Sequence, residues 1–478
     1  MNLHRSLLLS ALVLSATFGV AKSAAVPPHD QPRADVLAKA YRFERAGWTY
    51  VHLEGSPYEV GYEHGTLLSH EIEDALKAER LLDTHESKRD WKVFRDAAQN
   101  MLWPKTDPEY QLELAGIVDG ARAKGAKFDV WDLVAYNAAM ELPGYYIPWL
   151  DKKEGKAVPR PIKSPAERCS AFVATGSWTK DGRPVMVHSN WTTYIDGARW
   201  RVIMDIQPAQ GHRLIQDGLP GIIVSDDDFG INDAGLMVTE TTISGFSGWD
   251  PNGKPEFVRA RKALQYANNI DEYVAIMLDG NNGGYANDWL LADKNTGEVA
   301  RFELGLKHHN VWRSKDGFFE GSNFASDPDV IKDETDFDVT DMSKSANARR
   351  ARWQQLLQEN KGKLDVEMAE KFLGDHYDTF AKKEQPNERT LCGHVEDSPR
   401  GTGDSWGPFY PAGSAIAQAA DANMAEQMTM AAQAGHSCQK PFKAADFLAA
   451  HKEFGWMKPA LIDMSGEQWT NFKSGEKQ

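Results

Sequence analysis

The residues Cys169-Ser170-Ala171-Phe172-Val173-Ala174-Thr175-Gly176, then Thr179-Lys180-Asp181-Gly182, then Pro184-Val185-Met186-Val187-His188-Ser189 decide how this chain folds. Two short apolar runs flank a turn-forming Lys-Asp-Gly, the pattern of a β-hairpin. What precedes them is of opposite character. Residues 151–168 are rich in Lys and Pro (Pro159, Pro161, Pro165) and carry few apolar side chains, so they read as an exposed linker where a chain can be cut without harm. Cys169 stands at the boundary between the two.

Upstream of the linker the spacing is helical. Val60, His64, Leu67 and Leu68 recur at helical intervals, as do Leu112, Ala115, Val118 and Ala121. Downstream the period is two. Residues 200–206, 222–225 and 236–242 read as strands, the last entered through Asn232-Asp233-Ala234-Gly235. Residues 289–302 fold about Asn295-Thr296-Gly297, and residues 309–319 about Lys315-Asp316-Gly317. Helices interrupt the series near 257–277 and 345–360. Consecutive hairpins give antiparallel sheets whose outer faces amphipathic helices must cover. The expected fold class is therefore α+β, two antiparallel sheets packed between helical layers. The expected divisions are a leader (1–25), an N-terminal helical region (26–150), the linker (151–168) and a body (169–478).

The leader is read from His4 and Arg5, an apolar run over 7–20, and the small residues Ala21-Lys22-Ser23-Ala24-Ala25. That run is too short to span a bilayer, and cleavage after Ser23 or Ala25 is expected to yield an exported protein, secreted or periplasmic, with no integral membrane segment. With 54 Lys plus Arg against 69 Asp plus Glu, the net charge is −15. Phosphate backbones demand a positive footprint, so nucleic acid is excluded as a partner.

Several common catalytic signatures are missing: there is no H-E-x-x-H, no Walker loop and no Rossmann glycine pattern. Three cysteines remain. An odd count leaves at least one thiol without an intramolecular partner. Cys392 and Cys438 lie in similar polar, Gly-containing contexts and could pair, which would leave Cys169 as the spare. If the Arg168–Cys169 bond is cut, Cys169 carries both a thiol and an α-amine, with reference pKa values of about 8.5 and ~7.7–8.0. The amine can then take the thiol proton, putting nucleophile and base in one residue. The competing reading is a buried cysteine capping a strand. His188, on the returning strand, falls on the same face as Cys169 and is placed to orient a substrate or stabilise charge, the alternative being a half-buried sheet histidine. Trp191 shares that face only if a bulge or strand end intervenes.

A metal is not expected. Cys392-x-His394 and His436-x-Cys438 offer two sulfurs and two nitrogens, but structural zinc sites favour two to four residues between ligands. A Cys392–Cys438 disulfide ranks above zinc, and no cofactor is called for. The acidic run 327–341 lacks calcium-loop spacing and reads as a solvated face.

Several blocks together resemble the phospholipase B-like proteins: Cys169-Ser170-Ala171, His188-Ser189-Asn190-Trp191-Thr192, Pro220-Gly221, Ser225-Asp226-Asp227-Asp228-Phe229 and Gly235-Leu236-Met237-Val238-Thr239-Glu240-Thr241-Thr242. Asn287-Asp288-Trp289-Leu290, Phe302-Glu303-Leu304-Gly305 and Leu391-Cys392-Gly393-His394 continue the match. Gly55-Ser56-Pro57-Tyr58-Glu59-Val60-Gly61-Tyr62-Glu63-His64-Gly65 is similar to the opening motif of autoproteolytic acyltransferases acting on penicillin side chains. The resemblance implies an N-terminal nucleophile hydrolase, an αββα sandwich in which self-cleavage exposes the nucleophile and the two fragments stay associated. It implies Cys169 as cleavage site, nucleophile and base, and His188 and Trp191 as the active-site His-x-x-Trp. Thr242 is implied as a pocket residue facing the oxyanion, with Thr241 as its alternative. The resemblance implies Asn323 as the oxyanion or amine-orienting asparagine. It also implies Arg349 as the arginine near the nucleophile, with Arg350 and Arg352 as competitors. More distant choloylglycine hydrolases carry Asp where this chain has Asn190.

The expected function is hydrolysis of acyl esters or amides, from a lipid or another acylated small molecule, through a Cys169 thioester. Two alternatives stand beside it: an acyltransferase or N-acyl amidase, and an exported binding protein in which Cys169 is never freed.

Overall fold

The computed structural model describes residues 35–156, 169–225, 229–402 and 406–477. The expected leader, most of the linker and Asp226-Asp227-Asp228 lie outside the described residues. Two sheets form the centre. The larger runs in the order β1 (Tyr41–Arg45), β2 (Trp48–Gly55), β5 (Val202–Pro208), β6 (Leu214–Gly218), β7 (Phe229–Asn232), β8 (Leu236–Thr242), β9 (Asn287–Asp293), β10 (Glu298–Leu304), β11 (His309–Ser314). The smaller runs β12 (Gly317–Gly321), β3 (Cys169–Thr175), β4 (Val185–Thr193), β15 (Ala412–Asp421), β16 (Thr429–Ala434), β17 (Thr470–Lys473). A two-stranded ladder, β13 (Tyr377–Asp378) with β14 (Lys383–Glu384), stands apart. In the two large sheets every neighbouring pair is antiparallel except β2 with β5.

The sheets stack face to face, β3, β4 and β12 lying over β8, β9 and β10. Alternation decides what each face meets. Ala171, Val173 and Met186 enter the large core between the sheets, whereas Phe172, Ala174, Val185 and Val187 pack under the helices Ser345–Glu359 and Val366–Leu373. On the far side, Pro57–Leu67 covers β2 and β5, while Glu256–Tyr266 and Ile270–Leu278 cover β7 and β9. The result is the four-layered αββα sandwich of the α+β class. No helix among the described residues is long and apolar enough to cross a membrane.

Local readings differ from the structure at four places. The region before the linker is not helical throughout, because β1 and β2 form one edge of the larger sheet. Residues 222–225 form no strand; the strands here are β6 and β7. The β3–β4 connection spans residues 176–184 rather than two residues, yet the register Cys169↔Asn190 and Ala171↔His188 keeps Cys169 and His188 on one face, as an even shift must. Finally, Lys315-Asp316-Gly317 does not close a hairpin. The strand before it pairs with β10 and the strand after it with β3, so the chain crosses between sheets here. Gly176, at φ +66°, makes room for that corner, since a Cβ there would sit 2.6 Å from the Lys315 carbonyl. Asp316 accepts hydrogen bonds from the Ser177 main-chain N–H and hydroxyl at 2.7 and 2.6 Å.

The glycines of the 55–65 motif have a packing cause. Pro57–Leu67 crosses Pro108–Arg122 backbone on backbone, with Gly61 and Gly65 facing Gly116 and Gly120. A Cβ on Gly61 would lie 1.9 Å from the Glu113 carbonyl oxygen, and one on Gly116 2.3 Å from that of Tyr58. The approach also buries His64, whose Nε2 accepts from the Gly221 N–H at 2.9 Å and whose pKa burial pushes down to about 3. Asn137 holds the same turn, donating to the Gly221 carbonyl and accepting from the Ile223 N–H.

Gly61→Ala is expected to cost about 3 kcal/mol or prevent folding, because the collision is with backbone and cannot relax by rotamer change. Gly455→Ala, where a Cβ meets nothing within 4 Å, supplies the control. Urea denaturation of both variants checks the difference.

Candidate active site

Cys169 opens β3 and is 1% exposed. Its main-chain N–H donates to Asn323 Oδ1 at 3.0 Å. Asn323 follows β12 with φ +72°, a left-handed conformation that asparagine tolerates better than most residues, and its Nδ2 donates to the Thr242 carbonyl at 2.9 Å. Arg349, fully buried on Ser345–Glu359, donates to Asn323 Oδ1 at 2.9 Å, to the Cys169 carbonyl, and to Ser170 Oγ at 3.0 Å. Arginine only donates, so it fixes which end of the Asn323 amide faces Cys169. Asn323 thus holds the Cys169 nitrogen, and its amide nitrogen is engaged elsewhere. Of the three candidate arginines, Arg349 is the one at Cys169. Arg350 bonds Glu320, and Arg352 bonds Asp375.

On the other face of β3, Cys169 Sγ meets His188 and Glu240, one donor atom from each of the three lying within 4.8 Å of the others. His188 Nδ1 lies 3.1 Å from Gln418 Oε1, and Gln418 Nε2 donates to Asp217 Oδ2 at 2.9 Å. The indole N–H of Trp200 donates to that same oxygen at 3.0 Å. With Asp217 Oδ2 accepting from both Trp200 and Gln418, the Gln418 oxygen turns to His188, the arrangement that places the imidazole proton on Nδ1. Burial pushes the His188 pKa down to about 4, the Gln418 hydrogen bond opposing it. The imidazole is therefore neutral near pH 7.

Glu240 was not singled out from the sequence. Its Oε1 lies 3.9 Å from Cys169 Sγ and accepts from the Tyr285 hydroxyl at 2.7 Å. The signal available was a charged residue inside Val238-Thr239-Glu240-Thr241-Thr242, a strand buried along its whole length. The two threonines divide in the structure. Thr241 Oγ1 meets β12, where a Cβ on Gly321 would come within 2.6 Å of it. Thr242 enters the site through its carbonyl, and its buried hydroxyl has no hydrogen-bond partner among the described residues.

Trp191 sits apart from the sulfur. It shares the outer face of β4 with Val187 and Ser189, and the Arg349 guanidinium lies 4.2 Å from its ring centroid. Desolvated cation–π contacts of this kind contribute about 2 kcal/mol. Trp191 supports the arginine that holds Cys169. Asn190 lies directly across the ladder from Cys169.

Cys392 and Cys438, the pair that the sequence allowed to join, are free thiols in the structure. Cys392 precedes Gly393, which packs against the Trp191 ring.

His188 is expected to stay neutral with its proton on Nδ1 at pH 6, where a free imidazole is largely protonated. Nitrogen-15 spectra of histidine-labelled protein check this, with His188→Gln assigning the signal. A His188 resonance titrating near 6.5 would contradict the assignment.

A sequence model of the family "Phospholipase B" matches residues 68–312, just over half of the chain. An uncharacterized protein of Archaeoglobus fulgidus is 27% identical over 259 residues, covering 49% of this chain and 39% of that protein. A putative phospholipase B-like 2 of Caenorhabditis elegans is 24% identical over 283 residues, covering 52% of this chain and 48% of that protein. The chain thus spans about half, or less, of the length of these curated relatives. Among solved structures, a mutant conjugated bile acid hydrolase from Clostridium perfringens aligns over 55% of this chain and 89% of its own at 11% identity, with a TM-score of 0.34. On the extent of the family match, the chain belongs to the phospholipase B family.

Proposed function

We propose that this protein is an exported, self-processing acyl hydrolase in which Cys169 becomes the N-terminal nucleophile. The observation that carries the reading is the Asn323–Cys169 contact. The nitrogen held at 3.0 Å is the atom that becomes the α-amine when the Arg168–Cys169 bond is cut, on the residue whose sulfur lies beside His188. In processing, Cys169 Sγ attacks the Arg168 carbonyl, the C–N bond breaks, and water hydrolyses the resulting ester of the thiol. The freed amine, of a class whose reference pKa is about 8, then takes the thiol proton for catalysis. The sulfur attacks the substrate acyl carbonyl and the bond to the leaving oxygen or nitrogen breaks. The amine returns its proton to that leaving group. Water next adds to the thioester, releasing the carboxylic acid and restoring the thiol.

Arg349 adds positive charge on the main-chain side of Cys169, which favours thiolate, while neutral His188 adds none. The relatives' name points to fatty acyl esters of phospholipids, and the cysteine nucleophile serves amides equally well.

The experiment offers diacyl phospholipid and N-acyl amino acid separately to the processed protein, in water alone and with an added amine acceptor. Intact mass spectra taken at early times follow the Cys169 fragment. The expected result is acid release in water alone, with a transient mass increase equal to the acyl group that hydroxylamine removes. Product only when the amine is present would replace hydrolysis by acyl transfer. No adduct and no turnover with any substrate would favour a binding protein.

A further inference from the structure

Behind Trp191, four side chains from three separate segments converge. His376 leads into β13, Cys392 and His394 flank Gly393, and Cys438 follows β16. Their donor atoms all lie within 4.8 Å of one another. His394 Nε2 is 3.2 Å from His376 Nε2, 3.3 Å from Cys392 Sγ and 3.4 Å from Cys438 Sγ. A zinc ion bound at the usual lengths of about 2.0–2.1 Å to nitrogen and 2.3 Å to sulfur gives tetrahedral edges of roughly 3.3–3.8 Å. The three separations from His394 Nε2 come within about 0.2 Å of that span, and the remaining donor pairs lie within 4.8 Å.

We propose that His376, Cys392, His394 and Cys438 form a structural zinc site. Two thiolates and two imidazoles make a closed set of four protein ligands, with no open position for water or substrate. The surroundings support it. His394 Nδ1 is 2.9 Å from Glu396 Oε1, which orients the ring so that Nε2 faces the other three donors. The Tyr194 hydroxyl donates to the other Glu396 oxygen at 2.6 Å, and the His436 ring stacks on that of His394 with centroids 4.4 Å apart. His436, the partner suggested by sequence symmetry, is thus a neighbour of the ligand set, and His376 takes its place.

The metal would bind Cys392 and His394 as a bracket around Gly393, which presses on Trp191. A Cβ on Gly393 would fall 2.1 Å from Trp191 Cζ2. Zinc therefore ties the loop that holds Trp191, Trp191 carries Arg349, and Arg349 holds Cys169. Binding releases one proton from each thiol and oxidises nothing, unlike a Cys392–Cys438 disulfide, which would remove two electrons and two hydrogens.

The test uses full-length protein purified without chelator. Elemental analysis should give one zinc per chain, retained in Cys169→Ser and falling at least tenfold in both Cys392→Ser and His376→Gln. Should Cys392→Ser fail to fold, His376→Gln retains all three thiols and decides the point. Cobalt substituted for zinc should show tetrahedral d–d bands with a thiolate charge-transfer band. Removing zinc with a chelator should lower Tm by about 5 °C or more, reversed by zinc chloride. Protein with less than about a tenth of an equivalent of zinc, even after incubation with zinc chloride, would overturn the proposal. So would a mass two hydrogens short with Cys392 and Cys438 joined.

Discussion

The site depends on one buried cation. Arg349 is removed from water, a state that is costly unless each N–H finds a partner. Its guanidinium donates to Ser345 Oγ, Ser170 Oγ, the Cys169 carbonyl and Asn323 Oδ1, and the Trp191 ring lies against it. These contacts set the position of the Cys169 main chain from both sides of the α-carbon, the carbonyl directly and the nitrogen through Asn323. Lysine could not replace it, since a single ammonium cannot span those acceptors in the plane that a guanidinium offers.

The remainder of the fold makes that clamp possible. The sheets carry opposite walls of the site, with Cys169 and His188 on β3 and β4 and Glu240 on β8. Their separation is set by the core between them. The larger sheet is backed by a helix pair whose glycines let two backbones touch, so Pro57–Leu67 sits low enough for His64 to seize the Gly221 turn. The smaller sheet is backed by the helix that delivers Arg349.

Legibility in the sequence followed how local each signal is. The shared face of Cys169 and His188 was readable because parity survives any even change of register, even though the connection between their strands is much longer than a two-residue turn. The crossing at Lys315-Asp316-Gly317 was not, because the same turn residues serve whether the flanking strands pair with each other or with two different sheets. Asn323 and Arg349 came from resemblance alone; nothing in their local spacing marks them. Glu240 lies inside the Val238–Thr242 segment, where nothing in its local spacing sets it apart from the neighbouring threonines. His376 stood sixteen positions ahead of Cys392, outside any knuckle spacing, and only folding shows it beside His394.

The central claim is that Cys169 becomes a chain terminus. The most direct measurement is a denaturing gel of the wild type beside Cys169→Ala, with N-terminal sequencing of every band. The account predicts two wild-type fragments, one beginning Cys169-Ser170-Ala171, and a single uncut chain in the variant. An intact wild-type chain, or a variant cut at the same bond, would contradict it.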